Sequence, residues 1–94
     1  MMISKIGIGV ITCNRNNFLK NCLKSIKNDW YNELVIINDG KIPLKDSSKN
    51  IINNETNLGV GKTKNKALKY LLDNNCEHIF IVEDDVIFKE NVFE

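Results

Sequence analysis

Glu83-Asp84-Asp85 is the densest chemical signal in the sequence, three adjacent carboxylates placed directly after the apolar run Ile79 to Val82. Carboxylates this close repel one another, and keeping them ionised at the end of a buried strand requires hydrogen-bond donors or a bound cation. Side chains alternate along an extended chain, which puts Glu83 and Asp85 on one face and turns Asp84 away. Two hard oxygen donors of that kind suit Mg²⁺ or Mn²⁺ with diphosphate oxygens completing the shell, or a ribose hydroxyl. A solvated acidic turn is the plainer alternative. Asp39, ahead of Gly40 at the end of another apolar run, reads either as a turn residue or as an acceptor for a base or ribose. The third group is Asn57-Leu58-Gly59-Val60-Gly61-Lys62. Its glycines permit tight turns, and Lys62, Lys64 and the helix start that follows can face a phosphate. Here the alternative is an ordinary Gly-containing turn before a helix with solvated lysines.

The elements that must position these groups alternate in type. Ile6 to Thr12 (IGIGVIT) is short and apolar and is stopped by Cys13-Asn14-Arg15-Asn16-Asn17, as expected of a strand buried on both faces. Phe18, Leu19, Cys22, Leu23 and Ile26 then form one helical stripe, with Asn16 or Asn17 placed to cap the helix start. Glu33 to Asn38 is a second strand, so the pair predicts a right-handed parallel crossover. Lys41 to Leu58 is polar and turn-rich, with one weak strand at Asn50 to Asn53. Gly61 to Asn74 predicts a second helix, Ala67, Leu68, Leu71 and Leu72 facing inward and Lys62, Lys66 and Lys69 facing solvent. Ile79 to Val82 is the last clear strand, followed by an apolar-rich segment, Val86 to Glu94. In a parallel sheet the clusters Thr12 to Arg15, Asn38-Asp39-Gly40 and Glu83-Asp84-Asp85 share one edge, the edge at which such sheets bind ligands.

Composition narrows the classes. The 94 residues suffice for one small domain, and 43% hydrophobic with 27% charged residues is the balance of a globular chain. A net charge of +1 gives no case for nucleic acid or an anionic membrane surface as the main partner. No apolar stretch approaches a membrane span, and Met1 to Gly9 lacks the pattern of a signal peptide, which points to the cytosol. The three cysteines, Cys13, Cys22 and Cys76, form no CxxC pair and read as reduced, mostly buried thiols. Gly61-Lys62-Thr63 followed by IFIVEDD imitates a P-loop with its acidic strand, but the pattern needs Gly where Thr56 stands, so a P-loop nucleotidase is disfavoured. His78, Trp30 and Tyr31 read as structural, and the abundance of Asn carries no clear mechanistic signal.

Taken in order, the stretches GVITCNRNNFLKNCLKSI, ELVIINDGK, NETNLGVGKTKNKAL and HIFIVEDDVIF closely resemble the N-terminal half of family 2 glycosyltransferases and related nucleotide-sugar enzymes of the GT-A fold. EDDV at positions 83 to 86 is also similar to the acidic motif of GT-A enzymes that transfer N-acetylglucosamine. The resemblance implies a Rossmann-like α/β half-domain over 1–94, a mostly parallel sheet of order 3-2-1-4 with helices on both faces. It also implies that Thr12 and Arg15 border the nucleotide pocket, that Asp39 contacts the uracil or equivalent base, and that Asn57, Gly59, Lys64 and Asn65 lie near the nucleotide. In the DxD-type motif, Asp85 would bind Mn²⁺ or Mg²⁺ with Glu83, while Glu83 and Asp84 approach the ribose or sugar. Glu83 stands where an Asp is commoner, and Lys64 where Arg is usual; Lys keeps the charge but loses the bidentate fork.

The implied reaction transfers a sugar from a nucleotide diphosphate, UDP by the resemblance, to an acceptor hydroxyl. The base for that hydroxyl comes, in the family, from the second half of the domain, so the sequence leads us to expect acceptor site and base to be missing here. A metal-dependent nucleotide or nucleotide-sugar module without turnover is the alternative, and a purely structural role a third. Order 3-2-1-4 also leaves Ile79 to Val82 as an edge strand, from which self-association through that edge is expected.

Overall fold

The structure is a computed structural model that describes residues 5–89. Seven residues of β1 (Ile6–Thr12) carry little but β-branched side chains and glycine, and all except the first are buried. The chain then builds α1 (Asn16–Ser25), a 3₁₀ turn at Asn28–Trp30, β2 (Glu33–Asn38), β3 (Ile51–Asn53), α2 (Val60–Asp73) and β4 (His78–Glu83). The four strands form one sheet in the order β3-β2-β1-β4, and every pairing is parallel. This is the Rossmann-like architecture and strand order expected from the sequence.

Alternation along β1 and β2 divides the core in two. Ile8, Val10 and Ile36 pack with Leu19, Cys22 and Ile26 of the α1 side, whereas Ile11, Val35 and Ile37 pack with Ala67 and Leu71 of α2. Ile8, Val10, Ile36 and Ile37 are at most 1% exposed, and burying each such side chain contributes about 1.5–3 kcal/mol. Gly7 lets α2 lie close to the sheet: a β-carbon there would sit 2.6 Å from Cys76 Sγ and 2.9 Å from Leu71 Cδ2.

The helices differ from the sequence reading in detail. Neither Asn16 nor Asn17 caps α1; the N-cap is Arg15, with no side-chain cap hydrogen bond. The nearest asparagine, Asn14, spends its side chain on the loop instead, donating to Ile42 O at 2.8 Å and accepting from Ile42 N at 3.0 Å. On α2 the buried line is Thr63, Ala67 and Leu71, one residue per turn, with Tyr70 partly buried beside it. Leu68 and Leu72 are 38% and 55% exposed, and Lys66 reaches Asn54 Oδ1 at 2.7 Å rather than solvent. Of the expected terminal segment 86–94, residues 90–94 lie outside the described residues. The part described returns to the α1 side, where Phe88 N donates to Ser25 Oγ at 3.0 Å and the Phe88 ring meets Trp30 edge-on at 6.0 Å.

Candidate active site

Parallel pairing carries the ends of β2, β1 and β4 to one rim. The ladder runs one residue past each neighbour of β1: Asp39 N donates to Thr12 O at 2.8 Å and Asp84 N to Ile11 O at 3.0 Å. Asp39 and Asp84 therefore flank the end of β1, and Asp85 follows on the same rim. They are the buried carboxylates among the described residues, at 5% and 0% exposure. A buried carboxylate is costly unless its oxygens are met, and the two are met by different means.

Asp84 is held by side chains. Thr12 Oγ1 donates to its Oδ2 at 2.7 Å, and the Arg15 guanidinium pairs with Oδ1. Arg15 is itself 44% exposed and lies over the Phe18 ring, 5.3 Å from its centroid. Below this pair sits Cys22, whose thiol is pushed up to about 11 by burial, with the charges of Asp84 and Asp85 adding to the effect.

Asp39 is held mainly by the start of α2. Its Oδ1 accepts from Leu58 N at 2.7 Å and Asn54 Nδ2 at 2.8 Å, and Oδ2 accepts from Gly59 N at 3.0 Å. Burial alone would raise its pKa, but these bonds and one from the Thr63 hydroxyl outweigh it and hold the carboxyl below its ordinary value. Gly59, at φ 87°, takes the left-handed backbone that a side chain resists, and turns the chain from the two amides on Asp39 into α2. Asn57 ties the same turn to β2 by donating to Asp39 O at 3.0 Å.

The acidic triplet does not continue the strand as the alternation argument assumed: β4 ends at Glu83, and Asp84-Asp85 form a turn closed by Val86 N donating to Glu83 O at 3.2 Å. Asp84 is inside, Asp85 is exposed, and Glu83 is partly exposed with its carboxylate 3.6 Å from Lys64 Nζ. Donors, namely Arg15 and Thr12 for Asp84 and Lys64 for Glu83, thus meet much of the charge that the sequence left to donors or a cation. Among the described residues no group of three His, Cys, Asp or Glu side chains is arranged to hold a metal ion. Asn65 is exposed on α2.

Several asparagines and their partners carry more than the sequence reading gave them. Asn38 Nδ2 donates to Ile42 O and to Asn53 Oδ1, both at 2.9 Å, while its Oδ1 accepts from Gly40 N at 2.9 Å. Asn54, 8% exposed, joins Asp39 to Lys66. The usable clue was position: each follows or ends a strand, where a short amide can replace missing ladder partners. Thr63 was hidden inside the P-loop imitation.

No helix among the described residues is long and apolar enough to cross a membrane. The family model described as glycosyl transferase family 2 matches residues 8–94. No match was found among curated proteins or among solved structures. The family match spans β1 through the acidic triplet, the elements that build the rim, and the chain belongs to glycosyl transferase family 2.

Proposed function

We propose that the rim binds a nucleotide-diphosphate sugar, UDP-linked by the family resemblance, and serves transfer of the sugar to an acceptor hydroxyl. The observation that carries this reading is the pair of cations at the mouth, Arg15 on Asp84 and Lys64 on Glu83, each about two-fifths exposed. A diphosphate can share such cations without their leaving the surface. Thr12 borders the same pocket. Gly59, Asn57 and Asn65 lie beside the base and ribose in this reading. Asp39, whose oxygens already accept from the α2 start, offers a base N–H only the remaining lone-pair direction and mainly positions the turn.

The exposed Asp85 carboxylate suits a hard cation, and Glu83 joins it by releasing Lys64; a diphosphate would have to supply further oxygens. Mn²⁺ or Mg²⁺ bound there would stabilise charge on the departing diphosphate. We assign the acceptor site and the base for its hydroxyl to no residue of this chain, and read residues 1–94 as the donor-binding half of a GT-A domain. A cytosolic location agrees with the free thiols Cys13, Cys22 and Cys76. Self-association along β4 agrees with its place at the end of the sheet order.

The test is thermal melting with UDP, UDP-sugars, Mn²⁺ and Mg²⁺, singly and combined. UDP with Mn²⁺ is expected to raise the melting temperature more than either alone, and Asp85→Ala to remove the added part. Equal melting with and without ligand, at millimolar concentration, contradicts the reading. Release of UDP from a UDP-sugar separates a transferase from a module that binds without turnover.

A further inference from the structure

We propose that a groove on the α1 side of β2 and β3 binds an amphipathic anion, an alkyl chain ending in a carboxylate. Parallel strands are ordinarily joined by a helix that covers the sheet, but the connection from β2 to β3 contains none. α1 is therefore the one helix of that face, helped by Trp30, Tyr31 and Phe88, and Leu44 is the side chain of the β2–β3 loop that packs back onto the α1-side core. What remains is a pair of adjoining hollows of about 390 and 250 Å³, which share Leu23, Ile36 and Lys49. Their size is that of small-molecule sites. None of the rim residues Thr12, Arg15, Asp39 or Glu83 to Asp85 lines them.

The smaller hollow sets the chemistry. Its floor is Leu23, Ile36, Leu44 and Ile51, and its edge carries Lys20 and Lys45. Among the described residues neither lysine has a carboxylate partner, whereas the acid on that edge, Asp46, is occupied by Lys49 at 3.6 Å and by the Ser48 hydroxyl at 2.6 Å. In the larger hollow Glu33 is likewise engaged, accepting from Tyr70 Oη at 3.2 Å and lying 3.9 Å from Lys5. The uncompensated charge is thus positive and borders the smaller hollow, the more apolar of the two. An alkyl chain on the floor with its carboxylate between Lys20 and Lys45 satisfies both features, while a neutral lipid or a bare anion satisfies one.

Calorimetric titration with decanoate below its micellar concentration tests this. Saturable one-to-one binding is expected, with acetate and a neutral decyl glucoside each at least about tenfold weaker. The double variant Lys20→Glu/Lys45→Glu should lose about tenfold for decanoate and nothing for the glucoside, and Lys69→Glu, on α2, should lose nothing. Far-ultraviolet circular dichroism verifies that the surface variants stay folded. Equal decanoate affinity in the double variant overturns the proposal, as does binding only to micelles or anionic vesicles. A dimer in sedimentation that Lys20→Glu/Lys45→Glu dissociates and decanoate does not overturns it as well, since a second copy would then fill the groove, whereas a dimer along β4 would respond to neither.

Discussion

Asp39 and Asp84 occupy equivalent places, one residue beyond β2 and β4, the two strands that flank β1, and on either side of Thr12, yet one is satisfied chiefly by neutral donors and the other by a cation. Amides at the start of α2 cannot leave Asp39 without unwinding the turn that presents them. Arg15 can leave Asp84, or share it, by rotating a side chain that is already 44% exposed. The α2 side of the rim is therefore a fixed scaffold, and the side formed by Arg15, Asp84, Glu83 and Lys64 is where a charged ligand can exchange partners.

Removing Arg15 should produce the largest effect. Arg15→Ala strands a fully buried carboxylate, and a loss of about 3 kcal/mol is expected in urea unfolding, at the low end for a broken buried pair because water reaches the arginine side. Asp84→Asn should cost less, since an amide still accepts from Thr12 and leaves no charge behind. If Asp84→Asn proved the more damaging, the carboxylate rather than the cation would be the fixed partner, and the comparison would reverse.

Asp39→Ala comes next, at about 2 kcal/mol, because it orphans two backbone amides and Asn54. Amide exchange should quicken at Leu58 and Gly59. The acid limb gives a second handle. A carboxyl held below its ordinary 3.8 contributes stability that is complete above that value and is lost as pH falls through the lower folded value. Stability should accordingly decline below about pH 4, and Asp39→Asn should flatten that decline. An unchanged acid limb in this variant would show that the α2 turn does not depend on the charge.

The smallest effect belongs to Lys64→Ala. Its pair with Glu83 is 41% and 43% exposed, so a loss below about 1 kcal/mol is expected by thermal melting. A larger loss would place Lys64 in the scaffold rather than among the exchangeable groups.

Much of this was legible beforehand for a physical reason. Strands buried on both faces, such as Ile6–Thr12 and Glu33–Asn38, show as unbroken apolar runs, and parallel order then places Asp39 and Asp84 on a shared rim with no further information. The turn at Asp84-Asp85 was not foreseen, since the alternation argument carried the extended chain past Glu83, where β4 ends. What sequence patterns did not reveal depends on side-chain reach. Asn54, Thr63 and Lys66 lie on three different turns of chain and meet only because Asp39 and the α2 start come together. The inner face of α2 was equally hidden, since its periodicity sets Leu68 and Leu72 beside Ala67 and Leu71, yet they stay 38% and 55% exposed.

The central claim is that the exchangeable side of the rim receives the nucleotide diphosphate. Backbone amide NMR during titration with UDP and Mg²⁺ tests it most directly. The expected result is saturable shifts at Arg15, Lys64, Glu83, Asp84 and Asp85, with Leu58 and Gly59 moving less. Shifts confined to other parts of the sheet, or none at millimolar UDP, would contradict it.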